Sequence, residues 1–214
     1  MLSVWWLHDI RMSKSGKSNS VRIIGGNWRG RRLQVADVPG LRPTGDRCRE
    51  TLFNWLQPWI PTADCIDLFA GTGALGFEAA SRGAASIVMV EKHPRALQVL
   101  RQSIELLQAI QVQLQAGGAM SQIEGLKPDS FDIAFVDPPF DSNLGAVVLE
   151  RLDKSACIRR GGFVYVESPA NTSIPAPEGW SVWRDQQMGE VRMQLFRRKS
   201  AQGERNSDDD RSDN

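Results

Sequence analysis

The chain has 214 residues, 41% of them hydrophobic, and a net charge of +1 at pH 7. This length supports one α/β core with additions, but hardly two cores. No apolar run approaches the roughly 20 residues of a membrane helix, and the N-terminal basic residues follow the apolar ones, the wrong order for a signal peptide. The three cysteines have no metal-ligand spacing, so we expect neither disulfides nor zinc, and a reducing cytoplasmic location.

The charge is distributed unevenly along the chain. Residues 17–50 contain eight Lys or Arg and three acids, whereas the tail after Ala201 is rich in Asp. A basic front end suits contact with a polyanion through one face, and the alternative is an ordinary solvated surface. We expect a disordered leader at residues 1–19 and a disordered acidic tail at residues 200–214.

Taken in chain order, the first predicted elements form an extension at residues 20–60. Two strand-like runs around a glycine-containing turn predict a small hairpin over residues 21–35. A helix is expected from about Asp46 to Pro58, with Thr44 as its N-cap and an apolar face packed on the core.

Residues 61–199 form the main predicted domain, in which short apolar strands alternate with helices. The predicted strands are at residues 65–69, 86–90, 112–114, 131–136 and 162–166, and the predicted helices at residues 74–83, 94–107, 119–126 and 145–156. An antiparallel pair follows at residues 180–184 and 191–198. This order predicts an α/β fold: a doubly wound, mostly parallel, seven-stranded Rossmann-like sheet with an antiparallel C-terminal hairpin.

A glycine turn after the first strand of this domain is the first candidate for ligand binding. Such a turn lets the backbone approach a ligand and offers unpaired N–H groups to an anion. Gly71, Gly73 and Gly76 fit the dinucleotide-binding pattern, with Glu91 placed 20 residues after Gly71 to bind a ribose. Asp67, however, puts a carboxylate inside the strand. That position favours a ligand carrying an ammonium group, such as S-adenosylmethionine, over NAD.

A proline-rich tetrapeptide at the end of a later strand is the second candidate site: Asp137, Pro138, Pro139 and Phe140. The prolines stiffen the chain, so the Asp137 carboxylate and the Pro138 carbonyl offer two acceptors to an amino group, and Phe140 offers a face for base stacking. Standing alone, the tetrapeptide would indicate only a proline turn. Asp67 and Asp137 both approach the carboxyl edge of the sheet, where doubly wound sheets bind ligands.

These motifs resemble those of class I S-adenosylmethionine-dependent methyltransferases that act on exocyclic amino nitrogens. Further segments resemble the bacterial 16S ribosomal RNA guanine-N2 methyltransferase D family, at residues 22–26, 28–31, 40–44, 46–47 and 49–56. The resemblance extends from about residue 21 to residue 198. It implies methyl transfer from S-adenosylmethionine to guanine N2 in 16S rRNA or the assembling small subunit, by a monomer without metal or membrane contact.

The resemblance also implies roles for individual residues, with the tetrapeptide catalytic. It implies that the cofactor is held by Asp67, Phe69, Gly71, Thr72, Gly73, Glu91, Lys92 and Ala119. The RNA contacts it implies are Arg22, Arg29, Arg31, Arg32, Arg42 and Arg47. Residues 116–119 lack the acid or amide with which many relatives of this fold receive the adenine, so that contact is expected from elsewhere, such as the backbone.

Two other functions stay open at this stage: an adenine-N6 methyltransferase with the same pocket, and a non-catalytic RNA-binding assembly factor. Guanine presents an N1–H donor beside its amino group, whereas the adenine amino group is flanked by acceptors. A carboxylate at Asp137 receives donors and repels lone pairs, so it matches guanine better.

Overall fold

A computed structural model describes residues 20–38, 45–139 and 143–200, which form nine strands and five helices. The strands are β1 (Ser20–Arg22), β2 (Arg32–Gln34), β3 (Asp64–Asp67), β4 (Ser86–Glu91), β5 (Val112–Ala116), β6 (Phe131–Val136), β7 (Ile158–Pro169), β8 (Trp180–Met188) and β9 (Val191–Arg198). The helices are α1 (Asp46–Trp55), α2 (Ala74–Ser81), α3 (Pro94–Leu107), α4 (Ala119–Glu124) and α5 (Leu144–Ser155). The predicted leader, nearly all of the predicted acidic tail, Arg42 and Phe140 lie outside the described residues.

The main sheet has seven strands in the order β5-β4-β3-β6-β7-β9-β8. The five strands from β5 to β7 are mutually parallel, and β9 is antiparallel to both β7 and β8. Strands β1 and β2 form a separate antiparallel hairpin. The predicted fold class is therefore confirmed, and the chain reverses its winding direction between β3 and β6.

The two faces of the sheet are covered by different helices. One core cluster joins Phe53 of α1, Phe77 of α2 and Leu100 of α3 to side chains of the sheet. The other joins Ile123 of α4 and Val148 of α5 to the opposite face. Because helices cover both faces, the middle of the inner strands β3 and β6 is mostly buried and apolar, and the strand ends are left for polar chemistry.

Several elements were predicted too short or with displaced boundaries. β7 begins at Ile158, four residues before the prediction, because Arg159 donates to Asp132 at 2.7 Å and to Asp64 at 3.0 Å. These ion pairs hold a polar segment in the sheet, which an apolar pattern does not reveal. β8 extends to Met188 through exposed polar residues that pair with β9. Helix α1 has Gly45 as its N-cap, and Thr44, the predicted cap, lies outside the described residues.

A buried carboxylate fastens the N-terminal hairpin to the main domain. Glu78 of α2 is fully buried and accepts hydrogen bonds from the backbone N–H groups of Ile24 at 2.8 Å and Gly25 at 2.7 Å. The same carboxylate accepts from Arg49 at 3.3 Å and Arg82 at 2.8 Å. Three segments that are distant in sequence therefore meet on one side chain.

Arg49 is a buried structural residue, although its position in the basic segment at residues 17–50 suggested contact with a polyanion. Its side chain is fully buried and also donates to Asp46 at 2.6 Å and to the Arg22 carbonyl at 2.9 Å. Its charge is compensated inside the protein, and this removes one base from the exposed surplus.

Within the three described ranges, no helix is long and apolar enough to cross a membrane.

Candidate functional site

Four neighbouring strands carry acids at their carboxyl ends. Asp67 ends β3 and Glu91 ends β4, while Asp137 directly follows β6. Glu167 lies near the end of β7. Since β3 and β6 are adjacent at the reversal of winding, Asp67 and Asp137 flank the crevice where ligands bind in this architecture.

Asp67 is a buried carboxylate with one unused oxygen. Its side chain is 1% exposed, and its Oδ2 accepts a hydrogen bond from the Gly76 N–H at 3.2 Å. Among the described residues, its Oδ1 is the buried side-chain oxygen that has no hydrogen-bond partner. Burial, followed by the charge of Asp137, raises the pKa of Asp67 to about 7. A cation or an N–H donor that bound here would pair with the free oxygen and reduce the energetic cost of burying the ionised carboxylate.

The glycine turn is shaped by packing as well as by ligand access. Gly71 and Gly73 have φ of 51° and 75°, a region that favours glycine. A Cβ on Gly73 would lie 2.5 Å from the Phe77 ring, and one on Gly76 would lie 2.4 Å from Cε of Met89. At Gly73 and Gly76 the missing side chain therefore makes room for protein atoms and brings α2 close to the sheet.

Glu91 ties the glycine turn to the next strand–helix connection. Its Oε2 accepts from the Gly71 N–H at 2.9 Å, and its Oε1 accepts from the N–H groups of Lys92 at 2.9 Å and His93 at 2.7 Å. A carboxylate offers about four acceptor sites. Glu91 thus orients the turn and keeps acceptor capacity for a hydroxyl.

The remaining predicted cofactor residues surround this edge. Thr72 is buried, with its Oγ1 accepting from the Ala74 N–H at 3.3 Å, and Phe69 is half-buried. Lys92 is exposed beside Glu91. Ala119 is buried at the start of α4, after Gly118 as N-cap.

The proline-rich tetrapeptide begins where β6 ends. Asp137 is half-buried, Pro138 is buried and Pro139 is exposed. The register of Asp67 opposite Phe135 places Asp137 two residues further along the neighbouring strand. The structure therefore brings Asp67, Glu91 and Asp137 to one edge.

A buried acid and tyrosine beside Asp137 escaped the sequence analysis. Glu167 is 2% exposed, and the Tyr165 hydroxyl donates to its Oε1 at 2.7 Å. Burial raises the pKa of Glu167 well above its ordinary value, and the neighbouring Asp137 raises it further. The prediction ended this strand at Val166 and so overlooked an acid placed, like Asp137, directly after an apolar run.

The predicted RNA-binding arginines that lie within the described residues are exposed but spread out. Arg22, Arg29, Arg31, Arg32 and Arg47 are all exposed. Arg22 lies 3.6 Å from Asp46, and Arg31 donates to the Leu106 carbonyl at 3.3 Å.

The contact of Arg31 with α3 shows how far these exposed arginines lie from the acids at the carboxyl ends of the strands. Leu106 lies at the end of α3, whose start adjoins Glu91 through the capping residue His93. Fourteen helical residues span about 21 Å. Arg31 is therefore about that far from the acidic edge.

No three His, Cys, Asp or Glu side chains are grouped as metal ligands in the described part of the chain. The acidic edge therefore has no metal-binding arrangement among these residues.

Comparison with known proteins places this site in context. A family model described as Conserved hypothetical protein 95 matches residues 21–197. The Escherichia coli protein named ribosomal RNA small subunit methyltransferase D is 43% identical over 192 residues, which cover 89% of this chain and 96% of that protein. The Haemophilus influenzae protein of the same name is 38% identical over 180 residues, which cover 82% of this chain and 93% of that protein. The solved structure of the Escherichia coli protein yhhF superposes with a TM-score of 0.75 at 41% identity, covering 85% of this chain and 99% of the other.

Proposed function

The chain belongs to the ribosomal RNA small subunit methyltransferase D family, and from this premise we propose that it methylates the exocyclic N2 of a guanine in 16S ribosomal RNA. The chain is an rRNA methyltransferase. The single observation that carries the finer assignment is the placement of Asp67, with its unpartnered oxygen, and Asp137 on either side of the crevice. One acid suits a cationic cofactor, and the other suits the amino group of a base.

The residues at the edge fit S-adenosylmethionine. When bound, this cofactor supplies an electrophilic methyl group carried on a sulfonium. Asp67 would accept a donor from its ammonium group, which suits a buried carboxylate with an unused oxygen. Glu91 would accept from the ribose hydroxyls while holding the turn at Gly71. Phe69, Thr72, Gly73, Lys92 and Ala119 complete the proposed cofactor site.

Asp137 and the Pro138 carbonyl would hold the target amino group. Guanine N2 is a poor nucleophile because its lone pair is delocalised into the ring. Two acceptors bonded to its N–H groups favour a pyramidal nitrogen whose lone pair points at the electrophile. Asp137 would also accept from guanine N1–H, which adenine does not offer. Phe140 would stack on the base and Pro139 would stiffen the loop.

In the proposed transfer one nitrogen–carbon bond forms while the sulfonium–methyl bond breaks, the sulfur keeps that electron pair and leaves as a neutral thioether, and the amino nitrogen loses one proton. Asp137 or solvent water accepts that proton. A target base must leave its stack to reach this edge, so the substrate is a loop nucleotide or a flipped guanine. Exposed arginines of the hairpin and α1 would bind the phosphates around it. These steps belong in the cytoplasm, on 16S rRNA or the assembling small subunit, with the protein acting as a monomer.

Methylation of naked 16S rRNA and of small subunits isolated without the modification tests this proposal. The product is digested to nucleosides and analysed by mass spectrometry, with Asp137→Ala as the test variant and the exposed Asp37→Ala as its control. We expect N2-methylguanosine from the native protein and from Asp37→Ala, and none from Asp137→Ala.

Other products would point to the other functions. N6-methyladenosine would overturn the guanine assignment. Binding of RNA without any transfer would favour an assembly factor. Full activity in Asp137→Ala would contradict the proposed mechanism.

A further inference from the structure

Glu167, on the strand next to Asp137, is an acid that has no role in the methyl transfer proposed above. β6 and β7 are parallel, with Phe135 opposite Tyr165 and Val136 opposite Val166. Continuing this register by one residue sets Asp137 beside Glu167. Adjacent strands lie about 4.8 Å apart, so the two acids are neighbours at the carboxyl edge of the sheet, close enough for Asp137 to raise the pKa of Glu167 beyond the effect of burial.

Among the described residues, the groups that act on the ionisation of Glu167 include no base that would stabilise its charge. They are Asp137, which disfavours the charged form, and Tyr165, whose hydroxyl donates to Oε1. The residue opposite Glu167 on β9 is Met193, which is fully buried. Burial raises the pKa of the Cys48 thiol on α1, and the nearby Glu167 and Asp137 raise it further.

Two adjacent carboxyl groups in such surroundings do not both ionise at neutral pH. Glu167 is the more buried of the two, so it is the one that keeps its proton. Tyr165 also stays protonated, since burial raises its pKa well above its ordinary value. Its hydroxyl occupies Oε1, which leaves the acid proton of Glu167 for the other oxygen.

We propose that Glu167 is a positioning residue for Asp137: as a neutral carboxylic acid it donates to the Asp137 carboxylate and fixes the direction in which that carboxylate meets the base. The pair then presents one negative charge to the N1–H and N2–H donors of guanine. Glu167 keeps its proton throughout, and the proton released by the amino nitrogen does not pass to it. This inference rests on the proposed function of Asp137.

An isosteric substitution of Glu167 distinguishes a role in positioning Asp137 from a role in packing. Glu167→Gln retains a donor and the side-chain volume, whereas Glu167→Ala removes both. We expect the Ala variant to lower kcat by about 10- to 100-fold, the range for removal of a hydrogen bond to a charged group, with little change in the KM for cofactor. The Gln variant should keep about a third or more of the native kcat because its amide replaces the acid proton.

The pH dependence of kcat provides a second readout that a purely structural role would not move. In the native enzyme the rate should fall on the alkaline side as Glu167 ionises and repels Asp137. The Gln variant should lack this alkaline fall because an amide does not titrate. Tyr165→Phe should move the fall to higher pH, since it removes a hydrogen bond that lowers the pKa of Glu167.

The matched control is Glu178→Gln, which changes an exposed acid in the loop before β8. It should leave both kcat and the pH profile as in the native enzyme. Thermal unfolding of every variant identifies loss of fold. If the Ala variant unfolds, the Gln variant and the pH profiles decide the question.

A Gln variant as slow as the Ala variant, or one with the native alkaline fall, would overturn the role of Glu167. Native protein that transfers no methyl group to rRNA would instead refute the proposed function. The two failures are therefore distinguishable.

Discussion

The buried carboxylate of Asp67 predicts a conflict between stability and ligand binding that Asp67→Asn should expose. The ordinary pKa of 3.8 is raised to about 7 in the folded protein, with burial as the largest cause. The stability that the neutral form contributes is fully present below the ordinary pKa and is lost as pH rises through about 7. The asparagine variant is neutral at every pH and avoids this loss.

The size of the effect follows from the shift. Each pKa unit corresponds to about 1.4 kcal/mol, so the native protein should lose about 3 kcal/mol between pH 5 and pH 8 through Asp67 alone. The free energy of unfolding of Asp67→Asn, measured without ligand, should therefore gain that much relative to the native protein over the same interval. Urea unfolding at the two pH values measures the difference.

Ligand binding should change in the opposite direction. A neutral amide attracts an ammonium group less strongly than a carboxylate, so the affinity for S-adenosylmethionine should fall about 10- to 100-fold in Asp67→Asn. Binding to the native protein should also release a proton near pH 7, because an arriving cation lowers the pKa of Asp67. Calorimetry in buffers with different ionisation enthalpies detects this release, which the variant should lack.

Two results would refute the reasoning about Asp67. An unfolding free-energy difference that is the same at both pH values would show that Asp67 is already ionised in the ligand-free protein. Unchanged affinity in the variant would show that Asp67 does not contact the cofactor.

The other predictions concern the rest of the edge and the N-terminal extension. Glu91→Gln should weaken cofactor binding about tenfold, because it removes a charged acceptor that also orients the glycine turn; an unchanged calorimetric affinity would exclude the ribose contact. Replacing the hairpin arginines by Ala should weaken RNA binding and lower its salt dependence by about one unit of slope for each phosphate that is no longer bound, with cofactor affinity unaltered; an unchanged slope would return them to solvated surface. The variants are Arg29→Ala, Arg31→Ala and Arg32→Ala. Glu78→Ala should cost about 3 to 5 kcal/mol of unfolding free energy in urea, because it removes the buried partner of the Arg49 charge and leaves the backbone N–H groups of Ile24 and Gly25 without their acceptor; a loss below about 1 kcal/mol would contradict this.

The strands and the glycine turn could be predicted because their signals are local. An apolar run bounded by turn residues is typical of a buried parallel strand, and α3 and β6 have the predicted bounds. The residues that escaped prediction depend on contacts distant in sequence. Arg49 resembles any basic residue on a helix until it meets Glu78, which lies 29 residues away.

The site, too, was predictable where its signals are local in sequence. Asp67 and Asp137 follow strands whose ends had to meet at one edge, so their proximity could be inferred from the fold class. Glu167 obeys the same rule, but neither a glycine turn nor a pair of prolines follows it to mark it as a candidate. The packing roles of Gly73 and Gly76 could not be predicted, since they depend on where Phe77 and Met89 lie.

If Arg31 binds RNA as proposed, the length of α3 sets a minimum footprint for that RNA. Arg31 is bound at the far end of this helix, and Glu91 adjoins its beginning. Along the axis of a duplex each strand carries a phosphate about every 3.4 Å, so the length of α3 corresponds to about six phosphate intervals, or about seven consecutive phosphates. A short oligonucleotide carrying only the target guanine would fill the acidic edge and leave Arg31 without a phosphate. Discrimination between a free nucleotide and a folded ribosomal segment would then depend on distance along the surface of the enzyme, in addition to the chemistry at the base.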